Sequence, residues 1–266
     1  MTADSHDQNS PIFLPVDWAL PAGVRAVCTT RVGGVSHPPF DALNLGDHVG
    51  DRPAVVAENR QRLASSLGGA HPVFLSQVHG TDLVRLSRQT PQGTTADACV
   101  TTDPWVACTI MVADCLPLLF TDDRGCAVAA AHAGWRGLAA GVVEKTVESV
   151  CASAGVAPQN VRVWLGPCIG PHAFEVGGDV HDAFCAKPLP GVQSAADFFK
   201  PHPLHAHKWL ADLAGLARLR LQMAGVTSIS GNDSSVAWCT VSQSSTFFSY
   251  RRSGVTGRFA VAIWRT

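Results

Sequence analysis

The amino-acid sequence predicts an αβ sandwich built as one compact domain. Three observations carry this. Short apolar runs of strand length alternate with segments of helical periodicity, no low-complexity linker separates them, and a chain of 266 residues that is 46% hydrophobic can bury a large shared core. Strands intermixed with helices argue against an all-β protein. No internal repeat of fixed period is present.

Runs rich in β-branched or aromatic residues predict strands over 24–29, 73–77, 83–86, 107–112, 126–131, 161–165 and 259–264. Between the first two, a helix follows Asp51 and Pro53, since proline is tolerated in a first turn whose N–H has no partner. It places Val56, Leu63 and Leu67 on one face and stops at Gly68-Gly69. A second helix begins near Gly137 and turns Val142, Val143, Val147 and Val150 inward. A third, after Trp209, spaces Leu210, Leu213, Ala217 and Leu221 along one face and ends at Gly225. Residues 1–12 read as a flexible amino terminus ahead of a single domain over 13–266.

Composition narrows the class. A formal net charge of -1, with no basic stripe or tail, gives nucleic acid or an anionic membrane nothing to bind. The nine cysteines are odd in number and scattered through apolar segments, which is the pattern of reduced thiols in a cytoplasmic protein. MTADSHDQNSPIF has neither the charged nor the apolar region of a signal peptide, and no apolar run reaches spanning length.

Three side chains stand where an apolar run gives way to a turn: His79 in SQVHG, Cys115 before Leu116-Pro117, and His132 at the end of CAVAAAH. A single histidine or cysteine in such a run is more often core than ligand. Three of them at element ends point instead to a site. Two imidazoles and a thiolate hold zinc while leaving a fourth position open for water or substrate, and copper is the second metal this set admits.

AHAGWRG follows His132 directly. Gly134 and Gly137 would let the backbone approach a ligand before a helix whose first N–H groups face an anion, with Arg136 adding a charge-assisted bond. No Gly-Lys-Ser/Thr follows, so this is not a Walker A loop. Elsewhere, TTRVGGVSHPPFDALNLG brings Arg31 and Asn44 into a segment that reads as a flexible substrate loop, with an ordinary turn as its plainer identity. Arg60 lies within the first helix, and Arg251 within FFSYRRSG. Gln77 stands two residues before His79. Together Arg31, Asn44, Arg60, Gln77, Arg136 and Arg251 are the candidate substrate contacts, and Asp114, next to Cys115, is the candidate acid/base carboxylate. His202, His205 and His207 in PHPLHAHKW read as a surface loop with adventitious metal affinity.

The stretches TTRVGGVS, NLGDHVGD, SQVHG, ADCLPLLF, AHAGWRG, GPCIGPHAFEVGGDV and FFSYRR resemble, in order and over nearly the whole chain, the YfiH-like family. Its members carry the labels laccase-domain or multicopper polyphenol oxidase, and also purine nucleoside phosphorylase with adenosine deaminase and methylthioadenosine phosphorylase activity. The resemblance implies an α+β layered sandwich of mixed β-sheets flanked by helices, and a zinc site made by His79, Cys115 and His132. It also implies a purine nucleoside and phosphate as the small-molecule partners. Cys168 in GPCIGP departs from the family, which more commonly shows a small residue such as alanine there.

A four-copper oxidase needs many histidines in His-x-His pairs, and only His205-Ala-His207 has that spacing. Phenol oxidation by copper in the trio remains the weaker form of that label. For nucleosides, a metal that brings the pKa of water toward neutrality serves attack on C6 of adenine, and phosphate attack on the anomeric carbon serves phosphorolysis. The competing class is a metal-free thiol hydrolase acting on amides such as those of a cell-wall precursor. It would use Cys115 as nucleophile, His79 or His132 as base and Asp114 as orienter. A binding protein without turnover is the third.

Overall fold

The computed structural model describes residues 11–186 and 194–266. Most of the expected flexible terminus, 1–10, lies outside the described residues. The amino-terminal half contains β1 (Phe13–Leu14), β2 (Val24–Thr29), α1 (Pro53–Ser66), β3 (His71–Ser76), β4 (Leu83–Arg85), β5 (Thr94–Thr95), β6 (Ala98–Thr101) and β7 (Val106–Val112). The centre contains β8 (Leu116–Asp122), β9 (Val128–Ala133), α2 (Trp135–Ala140), α3 (Val142–Ala154) and β10 (Val161–Leu165). There follow β11 (Glu175–Val176), α4 (Gly178–Cys185), β12 (Phe199–Pro201), β13 (Trp209–Ala211), α5 (Leu213–Met223), β14 (Ser228–Gly231), α6 (Tyr250–Ser253) and β15 (Phe259–Arg265).

Two six-stranded mixed sheets form the centre, in the orders β1-β2-β15-β7-β3-β5 and β14-β10-β8-β9-β6-β4. Parallel and antiparallel pairs occur in both: β3 runs parallel to β7 and antiparallel pairs join β7 to β15, while β4 runs parallel to β6 beside the β8–β9 hairpin. A small sheet, β11-β13-β12, lies outside them.

Strand alternation decides the layering. Along β7, Val106, Cys108, Ile110 and Val112 face the space between the sheets, whereas Ala107 and Met111 face outward onto α1 with Leu63 and Leu67. On the second sheet Leu119, Val128 and Ala130 face inward, and Leu118, Phe120, Ala129 and Ala131 pack on α3 and α5. The result is helix, sheet, sheet, helix, with apolar residues on both faces of each central strand, as the sandwich reading requires.

The differences from the sequence expectation have local causes. The expected second helix is two helices, because Gly141 takes φ 101° and ends α2 in a left-handed turn before α3 begins. Leu210 belongs to β13, not to the third helix: Asp212 caps α5 by accepting from the Gly215 N–H, so the helix starts after it. FFSYRR carries the short helix α6 at its arginines. The 126–131 strand is shifted to Val128–Ala133, which places His132 within its last turn of pairing, opposite Pro117.

Candidate metal and substrate site

The trio assembles where the chain passes between the two sheets. His79 lies in the loop that leaves β3 in the first sheet and enters β4 in the second, and Cys115 ends the turn that leaves β7 and enters β8. His132, near the end of β9, shares the inter-sheet face of Val128 and Ala130. Two of these turns carry positive φ on residues that rarely accept it, His79 at 62° and Asp114 at 99°. The ligand atoms of all three lie within 4.8 Å of one another, and Cys115 Sγ stands 3.7 Å from His79 Nε2. Bonds of about 2.0–2.3 Å put the ligand atoms of a tetrahedral zinc roughly 3.5 Å apart, so the separation fits a metal without rebuilding the turns.

A carboxylate that sequence reasoning missed organises this centre. Asp97, fully buried, receives the His132 Nδ1–H at 2.8 Å and the His79 N–H at 2.9 Å on Oδ1, and the Gly80 N–H at 2.7 Å and Val78 N–H at 3.2 Å on Oδ2. One side chain thus fixes the loop that presents His79 and the tautomer that leaves His132 Nε2 free to coordinate. Burial alone would raise the Asp97 carboxyl, but the bonds from His132 and from the Gly80 and Val78 amides hold it below the usual carboxylate range.

The same geometry sets the charge of the pair beside it. Burial would raise the Cys115 thiol, yet His132 and His79 outweigh it and bring it down to about 6. Burial would lower His132, yet Cys115 and Asp97 carry it up to about 9. In the metal-free chain, thiolate and imidazolium therefore coexist between about 6 and about 9. Stability drawn from the pair is lost as the pH falls through the first value, where the thiolate takes a proton, and as it rises through the second, where His132 gives its proton up. Ultraviolet thiolate absorbance of the apoprotein should titrate with a midpoint of about 6, and a midpoint at the ordinary thiol value of 9.0 would contradict this electrostatic picture.

The glycines of AHAGWRG make room for the trio and its loop. A Cβ on Gly134 would lie 2.7 Å from His79 Cδ2 and 3.1 Å from Cys115 Sγ, and one on Gly137 would lie 2.7 Å from the Gly80 carbonyl oxygen. Their open sides are filled by the ligands and by the His79 loop, and the helix that follows has six residues, too few for a developed dipole.

The trio opens onto a cavity of about 510 Å³, inside the range of roughly 300–1,000 Å³ that small-molecule sites occupy. Met111, Trp135, Ile169, Phe174 and Leu213 make apolar walls, and Gln77, Arg136 and Arg251 from the expected set reach it. Both polar ends of Gln77 are engaged by Met111, whose N–H it accepts and to whose carbonyl it donates, so it joins β3 to β7 while forming the wall. Asp114 also lines the cavity, with its carboxylate accepting from Thr240 Oγ1 at 2.6 Å and the Arg251 N–H at 2.7 Å.

Three of the expected contacts lie outside the cavity lining. Arg31 lines a separate depression, paired with Asp41 at 3.0 Å and donating to the carbonyls of Asp41 and Ser244. Arg60 is paired with Asp47 at 3.2 Å, donates to the Leu45 carbonyl and lies over the Phe74 ring. Asn44 is buried and spends its carboxamide on Gly46, Asp51 and the Arg258 N–H. Their segment is not loose: Asn59 of α1 donates to Ser36, Ala42 and Asn44 and accepts from the Val35 N–H. Among the polar residues of the cavity lining, His48 and Arg258 were missed. Cys168 is buried against Asn232 Nδ2 at 3.4 Å and packs outside the cavity wall.

The family described as multi-copper polyphenol oxidoreductase laccase matches residues 25–266. The chain belongs to this YfiH-like family. A relative from Escherichia coli named purine nucleoside phosphorylase YfiH is 48% identical over 96% of this chain and 99% of its own. One from Pseudomonas aeruginosa named purine nucleoside phosphorylase PA4543 is 51% identical over 95% and 98%. The crystal structure of Neisseria meningitidis protein NMB0706 superposes with a TM-score of 0.86 at 46% identity, covering 95% of this chain and 98% of that one. That of YlmD from Geobacillus stearothermophilus gives 0.82 at 32%, covering 92% of each.

The family implies a metal, and the YfiH-like centre here has the donors for one. Among the described residues only one other group gathers three such donors, Glu175, His202 and His205. In it His202 Nδ1 accepts the Leu204 and His205 N–H groups, which puts its proton on Nε2, facing Glu175 at 3.3 Å. That ring offers no lone pair to an ion, so the loop is a hydrogen-bonded clamp. A cluster of several coppers has no second set of ligands among the described residues.

Proposed function

We propose that the chain is a metal-dependent purine nucleoside phosphorylase. It would act on adenosine, inosine and methylthioadenosine with phosphate, giving free base and sugar 1-phosphate, and deaminate adenosine at the same centre. The observation that carries this reading is the His79–Cys115–His132 centre at the floor of an apolar cavity that also holds three arginines, Arg136, Arg251 and Arg258. The relatives named as phosphorylases support it. His79, Cys115 and His132 would hold zinc, or copper in its place, and when bound the ion supplies Lewis acidity toward an electronegative atom of the substrate.

The chain's own residues do the rest. Phe174 and Trp135 give flat apolar surfaces for the base and sugar, and exclude water from them. Arg251 extends over the Phe174 ring, and Arg136 over that of Trp135, so both cations stand beside the stacking surface. In phosphorolysis a phosphate oxygen forms the new bond to the anomeric carbon. The electrons of the broken C–N bond leave with the purine, which takes one proton, and the cations stabilise the incoming oxyanion. In deamination, water replaces the amine at C6 and ammonia leaves, with Asp114 as the carboxylate at hand for proton transfer. Nine free thiols fit a cytoplasmic enzyme.

Incubating the purified protein with adenosine, with and without phosphate, and following adenine and inosine separately tests the reading. Adenine formed only with phosphate supports it, and neither product from metal-loaded protein overturns it. One observation favours a second reading: Cys115, His132 and Asp97 are joined in sequence like a thiol hydrolase triad, with Asp97 in the orienting place expected of Asp114. A thiolate bound to metal is a poor acylating nucleophile, so a chelator would spare that activity and abolish phosphorolysis.

A further inference from the structure

Three part-buried arginines of this chain are held by carbonyls or a carboxylate of the protein itself. Arg60 has Asp47 and the Leu45 carbonyl, Arg218 has the carbonyls of Ile229, Ser230, Gly231 and Asn232, and Arg252 has those of Thr240, Val241 and Phe247. Arg258 is different. Its Nη1 donates to the Thr256 and Gly257 carbonyls, while Nε and Nη2 donate to no atom of the described residues and no carboxylate pairs with it. Three of its five N–H groups are left for a ligand. It lines the cavity that holds the trio.

The surrounding chain is shaped to keep it there. Asn44 Oδ1 accepts the Arg258 N–H at 2.9 Å, and the Leu45 N–H donates to the Arg258 carbonyl at 3.0 Å. A Cβ on Gly46 would lie 2.7 Å from Arg258 Cγ, so the glycine clears the path of the side-chain stem. Burial pushes the guanidinium below its ordinary pKa, against the pull of Cys115, Asp114 and Tyr250, as expected of a cation short of solvent and of a full partner. His48, on the same loop as Gly46, lines the cavity and feels the Arg258 charge.

We propose that Arg258, with His48 beside it, is the anchor for free phosphate in this cavity, in place of the Arg31 and Arg60 that their own carboxylates occupy. A fork of uncommitted N–H groups in a half-dry pocket suits a tetrahedral oxyanion, which accepts in several directions at once. The proposal rests on reading the cavity as a nucleoside and phosphate site. It makes Asn44 and Gly46 positioning residues that act through Arg258, which explains why the NLGDH segment folds against the site without Asn44 touching it.

Calorimetric titration of inorganic phosphate into the metal-loaded full chain tests this, beside a second titration with adenosine monophosphate. Arg258→Gln should weaken phosphate binding by roughly tenfold or more, the loss expected for a charged hydrogen-bonding partner, with metal content equal to the parent's. Arg258→Lys should recover part of it. If Arg258→Gln does not fold, Gly46→Ala, which displaces the stem but keeps the charge, should weaken phosphate in the same sense. Undiminished phosphate binding in Arg258→Gln, or in Gly46→Ala where that variant stands in, would overturn the proposal. So would no phosphate binding by the parent protein, or Arg258-dependent binding of the nucleotide alone. Phosphate binding that depends on Arg258 in a protein that never cleaves nucleosides would leave the anchor standing and remove the phosphorylase reading.

Discussion

Cys115→Ala should leave the purified protein without stoichiometric metal and without phosphate-dependent release of adenine. The thiolate is the one anionic ligand of the trio, and it stands in the turn that passes from β7 in one sheet to β8 in the other, 3.7 Å from His79 Nε2. Without it two neutral imidazoles remain, a weak set for a divalent ion. Alanine fits the space, so the fold should persist and thermal unfolding should stay cooperative. Cys168→Ala is the control, because that thiol packs against Asn232 outside the cavity and its loss should leave the metal in place. Full metal together with full turnover in Cys115→Ala would remove the trio from the mechanism.

The second large effect falls on Asp97, which touches neither cavity nor substrate. Asp97→Asn keeps the shape but turns an NH2 group toward N–H groups that now meet an oxygen, and it withdraws the charge that holds the His132 proton on Nδ1. Metal affinity should fall by roughly 10–100-fold, the usual cost of losing a carboxylate behind a ligating histidine. Asp97→Ala is harsher, since four donors lose their acceptor at about 1–3 kcal/mol each, and it should also lower the melting temperature. Cobalt substitution supplies a readout that general destabilisation does not move: the thiolate-to-cobalt absorption of the folded Asn variant should shift. An unchanged affinity and spectrum would reduce Asp97 to a loop anchor.

Much of the layered fold was legible because both central sheets keep strict alternation between two apolar faces, as in β7 and β15. The strand β8 was not expected, since Pro117 argues against a central strand. The structure admits it at the second position, where the ring lies over Gly166; a Cβ there would stand 2.8 Å from Pro117 Cγ. The three side chains of the candidate metal centre, which the structure brings together, were readable from their places at element ends. Their organiser was not, because Asp97 precedes His132 by 35 residues and no spacing rule connects them. A carboxylate at the head of the apolar run ACV was the available signal, since a buried charge needs partners. The arginines show the opposite limit. Arg31, Arg60 and Arg258 look alike in sequence, and only the three-dimensional positions of Asp41 and Asp47 reveal which two are already paired.

The most direct measurement is a metal titration of the chelated apoprotein, with phosphate-dependent release of adenine followed at each addition of zinc. Activity should be absent at the start, rise in proportion to added metal and level off at one equivalent per chain. Full activity in the apoprotein, or none after the metal has been restored, would contradict a metal-dependent phosphorylase at His79, Cys115 and His132.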